Sequence, residues 1–340
     1  MHKFYTASYD ATIYYQTPKQ NTGIDPILEI GKFFVGTNKE IYRSLLQFDM
    51  SDISSSISST KIGNDFRAFL NLKSAYSAEL PINYTLYAYP VSESWDMGIG
   101  KKDDYISTAG VSWNYRDGIN EWHTLGGTFD TASASQTFNY STDDIRMDIT
   151  DIVKLWLSGS IQNNGLMLKH STTVENDSFN YGYSKFYSKE TDTIYEPKLE
   201  IVWNDITFNT GSLLPVIGIA EEEYKVVLTN LKSQYLKNTI ITIRVKGRDK
   251  YPLKSFGTTF AYDQSKYLPT TTYYQIEDYV TGEIIIPFGD YTKVSCDSIS
   301  NYFNLDLSTF PIKRLYKIKL KIIDNDISTI IDEKQLFEVI

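Results

Sequence analysis

The stretch Asp148-Ile149-Thr150-Asp151-Ile152-Val153-Lys154-Leu155-Trp156-Leu157-Ser158-Gly159, followed by Asn163-Asn164-Gly165-Leu166-Met167-Leu168-Lys169, decides how this chain reads. Ile149, Ile152, Val153 and Trp156 recur at helical spacing and share one face. Thr150 stands where a cap could begin the helix and Gly159 where the last turn could end, so a short amphipathic helix is predicted. Working outward, almost every other segment reads as strand. A lone helix opening into Leu166-Met167-Leu168, in a chain rich in tyrosine, threonine and isoleucine, predicts a lid packed on a β-sandwich and argues against an enzyme core.

Composition supports an all-β class. The 340 residues include 27 Tyr and 17 Phe, side chains that suit pleated, half-buried surfaces. The length accommodates two domains, each with its own core. Cys296 is the single cysteine, so no intrachain disulfide can form and packing must carry the stability. A net charge of -9, from 42 acidic against 33 basic residues, argues against nucleic acid as a partner. No run approaches the roughly 20 apolar residues that span a bilayer, and Met1 to Tyr9 lacks a signal-peptide core. The expectation is therefore a chain made and kept in a cytoplasmic compartment, with no membrane partner.

Short alternating segments begin at once. Ala11 to Tyr15, Ile27 to Ile30 and Tyr42 to Asp49 are separated by Gly, Pro and Asn turn signals, a pattern of sandwiches and jelly rolls. Ser51 to Ser59 is serine-rich, but Ile53 and Ile57 lie one helical turn apart, which predicts a short surface turn of helix. Strands follow at Ala68 to Leu72 and Tyr84 to Tyr89, then a long loop carries Trp95, Trp113 and Trp122. After the helix come Gly165 to Leu168, Ser184 to Ser188 and Lys198 to Trp203. Turn residues at Asn204-Asp205 and Asn209 to Ser212 place a boundary near Asn204. The predicted domains are 1–204, a jelly-roll-like β-sandwich with one short helix, and 205–340, a smaller antiparallel sandwich for which an immunoglobulin-like form is one candidate. In the second, Leu315 to Ile322 alternates strictly with lysines on one face, as a strand with one wet side should.

Several of these motifs, in order, resemble the DNRLRE domain family, β-sandwich modules related to some carbohydrate-binding modules. Asp10-Ala11-Thr12-Ile13 is similar to its opening strand, and Arg43-Ser44-Leu45-Leu46-Gln47-Phe48-Asp49 to its arginine-leucine-phenylalanine-aspartate strand. Ser94-Trp95 and Ser112-Trp113 resemble its tryptophan loops, and Asp148 through Trp156 and Gly159 its helix. Asn164-Gly165-Leu166, Ser188-Lys189-Glu190 and Pro197-Lys198-Leu199 close the pattern, with Lys189 standing where the family usually has arginine. In general character the whole chain resembles virion proteins of large tailed bacteriophages. That resemblance implies a non-catalytic structural protein of a tail, neck or capsid decoration, assembled in the host cytoplasm with other virion proteins as a homo-oligomer or symmetric ring.

The chemistry-bearing residues offer little else. His2, His123 and His170 are scattered without metal-ligand spacing, and His170 reads as a strand-end surface residue. Cys296 lacks a nucleophile signature and reads as a partly buried inert thiol. No phosphate loop or nucleophile elbow is present, no cofactor is expected, and an enzyme would need an unrecognised pair of facing carboxylates. Asp103-Asp104, Asp143-Asp144 and Asp148 with Asp151 could supply oxygen ligands for calcium. Alternatively, Asp143, Asp144 and Asp151 lie just before or within the first helical turn and complement its dipole. Trp95, Trp113, Tyr115 and Trp122 could form an interface or a glycan-stacking platform, which keeps a carbohydrate-binding module recognising host-surface glycan as the alternative function. The same rings could instead fill the core of their loop.

Overall fold

The computed structural model describes residues 1–51, 65–103, 107–139, 143–252, 264–324 and 326–340. The chain is all-β, built of mainly antiparallel sheets in sandwich form; the short pairs Leu214–Pro215 with Lys266–Tyr267 and Gln234–Tyr235 with Leu336–Val339 run parallel. It divides into two compact units, Phe4–Ile201 and the pair of segments Met1–Lys3 and Val202–Ile340. The helical turn predicted at Ser51 to Ser59 falls, beyond Ser51, outside the described residues.

In the first unit an eight-stranded sheet runs in the order Ser74–Ala78, Tyr183–Tyr187, Ile27–Val35, Asn38–Gln47, Leu166–Lys169, Tyr84–Pro90 and Ala134–Phe138, with Tyr9–Tyr14 also paired to Asn38–Gln47. A four-stranded sheet has the order His2–Thr6, Lys198–Trp203, Phe66–Leu72, Ile145–Asp148. Phe66–Leu72 shows the logic of the core. Phe66, Ala68, Leu70 and Leu72 are buried while the residues between them are wetter, the period of two expected of a strand with one covered face. Leu166–Lys169 is instead buried at every position and lies between Asn38–Gln47 and Tyr84–Pro90.

The deciding helix forms at Thr150–Leu157 and buries Ile152, Val153 and Trp156, with Ile149 buried just before it. Its ends differ from each other. At the C-terminus Gly159, at φ +72°, donates to the Trp156 carbonyl (3.1 Å) while Ser160 donates to Leu155 (3.1 Å), the two bonds of a Schellman motif. The cap assigned to Thr150 is corrected: Thr150 is the first helical residue, and Ile149 at the cap position supplies no side-chain bond. The Thr150 hydroxyl instead accepts from the Ala68 amide (2.9 Å) and donates to Asp148, tying the helix to the neighbouring strand.

Among the described residues a further short helix, Thr172–Asn176, forms where the sequence reading named none. The Ser171 hydroxyl caps it, accepting from the Val174 amide (3.2 Å). Its sequence has no apolar period, so a cap in a polar run was the sole signal. Asp143 and Asp144 are likewise misplaced by the dipole argument, since they precede the strand Ile145–Asp148 and not the helix; only Asp151 sits in its first turn.

In the second unit one sheet has the order Leu214–Pro215, Lys266–Tyr267, Ile240–Asp249, Asn301–Asp306, Ser295–Cys296, with Tyr224–Leu228 also on Ile240–Asp249. The other runs Gln234–Tyr235, Leu336–Val339, Arg314–Asp324, Thr272–Asp278, Ile284–Ile286, with Ile327–Ile331 also on Arg314–Asp324. Tyr274 from one sheet stacks on Phe303 from the other with ring centroids 4.1 Å apart, so the two layers share one core. Along Arg314–Asp324, Tyr316, Ile318, Leu320 and Ile322 point inward, and Lys317, Lys319 and Lys321 share the outer face with Leu315.

Candidate interaction surface

The aromatic loop residues come together, but inward. Trp95, Trp113 and Trp122 are buried in one cluster with Ile13, Leu45 and Met167. Trp95 Nε1 donates to the Asn164 carbonyl (2.8 Å) and Trp122 Nε1 to that of Ser112 (3.0 Å). An exposed platform of tryptophan rings is therefore corrected: a loop that runs from Val91 to its bridge partner Phe129 has to bury something, and these rings are what it buries. Tyr115 is half-buried and bridges to Glu121. Tyr9 and Tyr15, 45 and 43% exposed, are braced edge-on against Trp95 and Trp113.

Beneath Trp113 lies a charge cluster. Arg43 Nε and Nη2 donate to the two carboxylate oxygens of Glu175 (3.0 and 2.6 Å), and Arg43 Nη1 donates to the Gly126 carbonyl (2.6 Å). Lys169 pairs with the same carboxylate at 2.9 Å and lies over the Phe129 ring. Both lysine and glutamate are almost fully buried, and burial, then the neighbouring Arg43 charge, hold the Lys169 ammonium below its usual pKa against the pull of Glu175. Lys32, also fully buried, donates to Asp177 Oδ1 (2.7 Å) and to the carbonyls of Asp177 and Phe179. These bonds pin residues 171–182 to the sheet. Arg43 was singled out from the sequence; Glu175 was not, because nothing local marks a glutamate that pairs with a strand 132 positions earlier.

His170 is corrected from surface to interior. It is 3% exposed, its Nδ1 has no partner among the described residues, and burial first, with Lys169 and Lys32 adding, pushes its pKa down to about 4. Cys296 is fully buried and its thiol is pushed up to about 11 by that burial.

Two of the proposed calcium carboxylates have cationic partners. Asp144 meets Lys73 at 2.9 Å and the Ser74 amide, and Asp148 meets Arg67 at 3.0 Å. Among the described residues, no three His, Cys, Asp or Glu side chains converge as a metal would need; Asp104 lies outside them. A cleft of about 360 Å³ gathers Asp25, Glu29 and Asp103 with Lys101, Lys102 and Lys185. Burial opposes the charge on Glu29, but bonds from Lys102, Lys185 (2.8 Å) and the Tyr14 hydroxyl (2.8 Å) outweigh it and hold the carboxyl below its usual range.

The second unit presents a different kind of surface. At the end of its outer sheet face where Arg314–Asp324 begins, Leu236, Ile340, Leu315, Tyr279 and Ile284 are 65, 45, 38, 53 and 52% exposed. They sit on consecutive strands or their continuations. The Lys237 amide bonds the Ile340 carbonyl (2.9 Å), Leu315 is opposite Glu338, the Tyr279 amide bonds Leu315 (2.9 Å), and Ile284 is opposite Glu277. Same-face neighbours on adjacent strands lie within about 5–8 Å, so the side chains form one patch. No family model matches the chain, and no curated protein matches it.

Proposed function

We propose that the chain is a non-catalytic structural protein acting through protein–protein assembly, and that its setting is a bacteriophage particle, as a tail, neck or capsid-decoration component. The observation that carries the assembly part is the apolar end of the second unit's outer sheet face, since contiguous exposed apolar patches of this kind mark interaction sites. The bacteriophage setting draws on the ordered resemblance of residues 1–204 to the DNRLRE modules and on the character of the whole chain. The carbohydrate-binding alternative needs open ring faces, and the tryptophans that would have provided them are packed. Mass spectrometry of density-purified particles from the source culture tests the proposal. The chain should appear at a copy number comparable to known structural components. Its absence from particles, with the chain recovered in the soluble fraction, would end it.

A further inference from the structure

We infer that the apolar patch around Leu315 closes on the same patch of a second copy of this chain, about a twofold axis; the inference rests on the assembly reading above. An apolar surface gains most from an apolar partner, and in a self-complementary contact each copy supplies the surface the other needs. The distribution of charge selects this occupant. Met1–Lys3 with Val202–Ile340 hold 17 Asp and Glu against 17 Lys and Arg, net zero, while Phe4–Ile201 holds the remaining 25 against 16, the entire -9. Two copies meeting through the second unit thus join neutral bodies, whereas contact through the first would set like charges together.

The five side chains offer a few hundred Å², against about 800 Å² per partner in a standard interface, so a reversible dimer is expected and not a permanent one.

Sedimentation velocity on the full chain from about 1 to about 100 µM tests this, a range in which a reversible dimer of this size should dissociate. The wild type should shift from monomer to dimer. Leu315→Glu, which puts a charge on the already solvated face, should weaken dimerisation at least about 100-fold without lowering the melting temperature. Val280→Asp, in the adjoining turn and 70% exposed, should do the same and stands as a second variant if Leu315→Glu misfolds. A wild type that stays monomeric throughout overturns the inference, as does self-association unchanged in both variants. In the latter case assembly stands through another surface. A monomer still found in purified particles also leaves the structural role intact, and a monomer absent from them ends both.

Discussion

Asp10 is the residue whose burial has the sharpest consequence. It is 1% exposed, its carboxylate accepts the Lys189 amide at 2.5 Å, and burial outweighs that bond to push its pKa up to about 7. Between pH 3.8 and 7 the folded chain keeps a proton that the unfolded chain has released. Stability from Asp10 is therefore full below pH 3.8 and is lost as pH rises toward 7. His170 acts in the opposite sense: its contribution is full above pH 6.5 and is lost as pH falls toward 4. Denaturant titrations should show Asp10→Asn, whose amide oxygen can still accept the Lys189 bond, gaining on the wild type as pH rises from 4 to 8, by an amount on the order of 3 kcal/mol. A difference that does not change with pH would remove Asp10 as the titrating group. Trp156→Ala should cost about 3–5 kcal/mol in the first unit. Because the buried indole Nε1 has no acceptor among the described residues, Trp156→Phe should cost far less. Equal losses in the two variants would mean that the N–H is bonded in solution.

At the scale of elements, the chain uses buried charge where the strand pattern alone would leave a loop unattached. Residues 171–182 are held by Arg43, Glu175, Lys169 and Lys32, which originate on three strands and one short helix. Glu175→Gln would leave two buried cations sharing no anion and is expected to cost about 3–5 kcal/mol, measured by thermal or chemical unfolding. Replacing Arg43, Lys169 and Glu175 together by Met should recover most of that loss, because the desolvation of all three charges disappears with them. If the triple variant is no better than Glu175→Gln, the cluster is needed for more than charge balance. The helix end was legible beforehand because Gly159 occupies a left-handed position that favours glycine; the helix start was not, because the Thr150 hydroxyl accepts the amide of Ala68 on a distant strand and the cap position falls to Ile149, which has no side-chain acceptor.

For the whole molecule, the two units imply two cooperative transitions. Residues 4–201 expressed alone should fold and melt near the first unit's temperature in the full chain, as followed by calorimetry and near-ultraviolet circular dichroism. Residues 202–340 alone should melt lower than the same unit in the full chain, since Met1 belongs to that unit and its ammonium donates to the Trp203 carbonyl (2.6 Å) and to Asp205 (2.7 Å). A single transition in the full chain, with neither fragment folded, would show that the units are not independent.

The all-β class, the position of most strands and the deciding helix followed from the sequence, because alternation and helical periodicity are local properties that survive without tertiary knowledge. Lys198–Trp203, Tyr224–Leu228 and the inward face of Arg314–Asp324 fall where their patterns place them. Tertiary structure alone decided which aromatic and charged residues face inward. Trp95, Trp113, Trp122, His170, Lys169 and Glu175 all carry groups that can sit in water or in the core, and what settles each is the partner that arrives from a distant strand. The patch at Leu315 follows the same rule in reverse. One leucine on a lysine face is unremarkable in sequence, and it becomes a surface only when Tyr279, Ile284, Leu236 and Ile340 are brought beside it by pairing across the sheet.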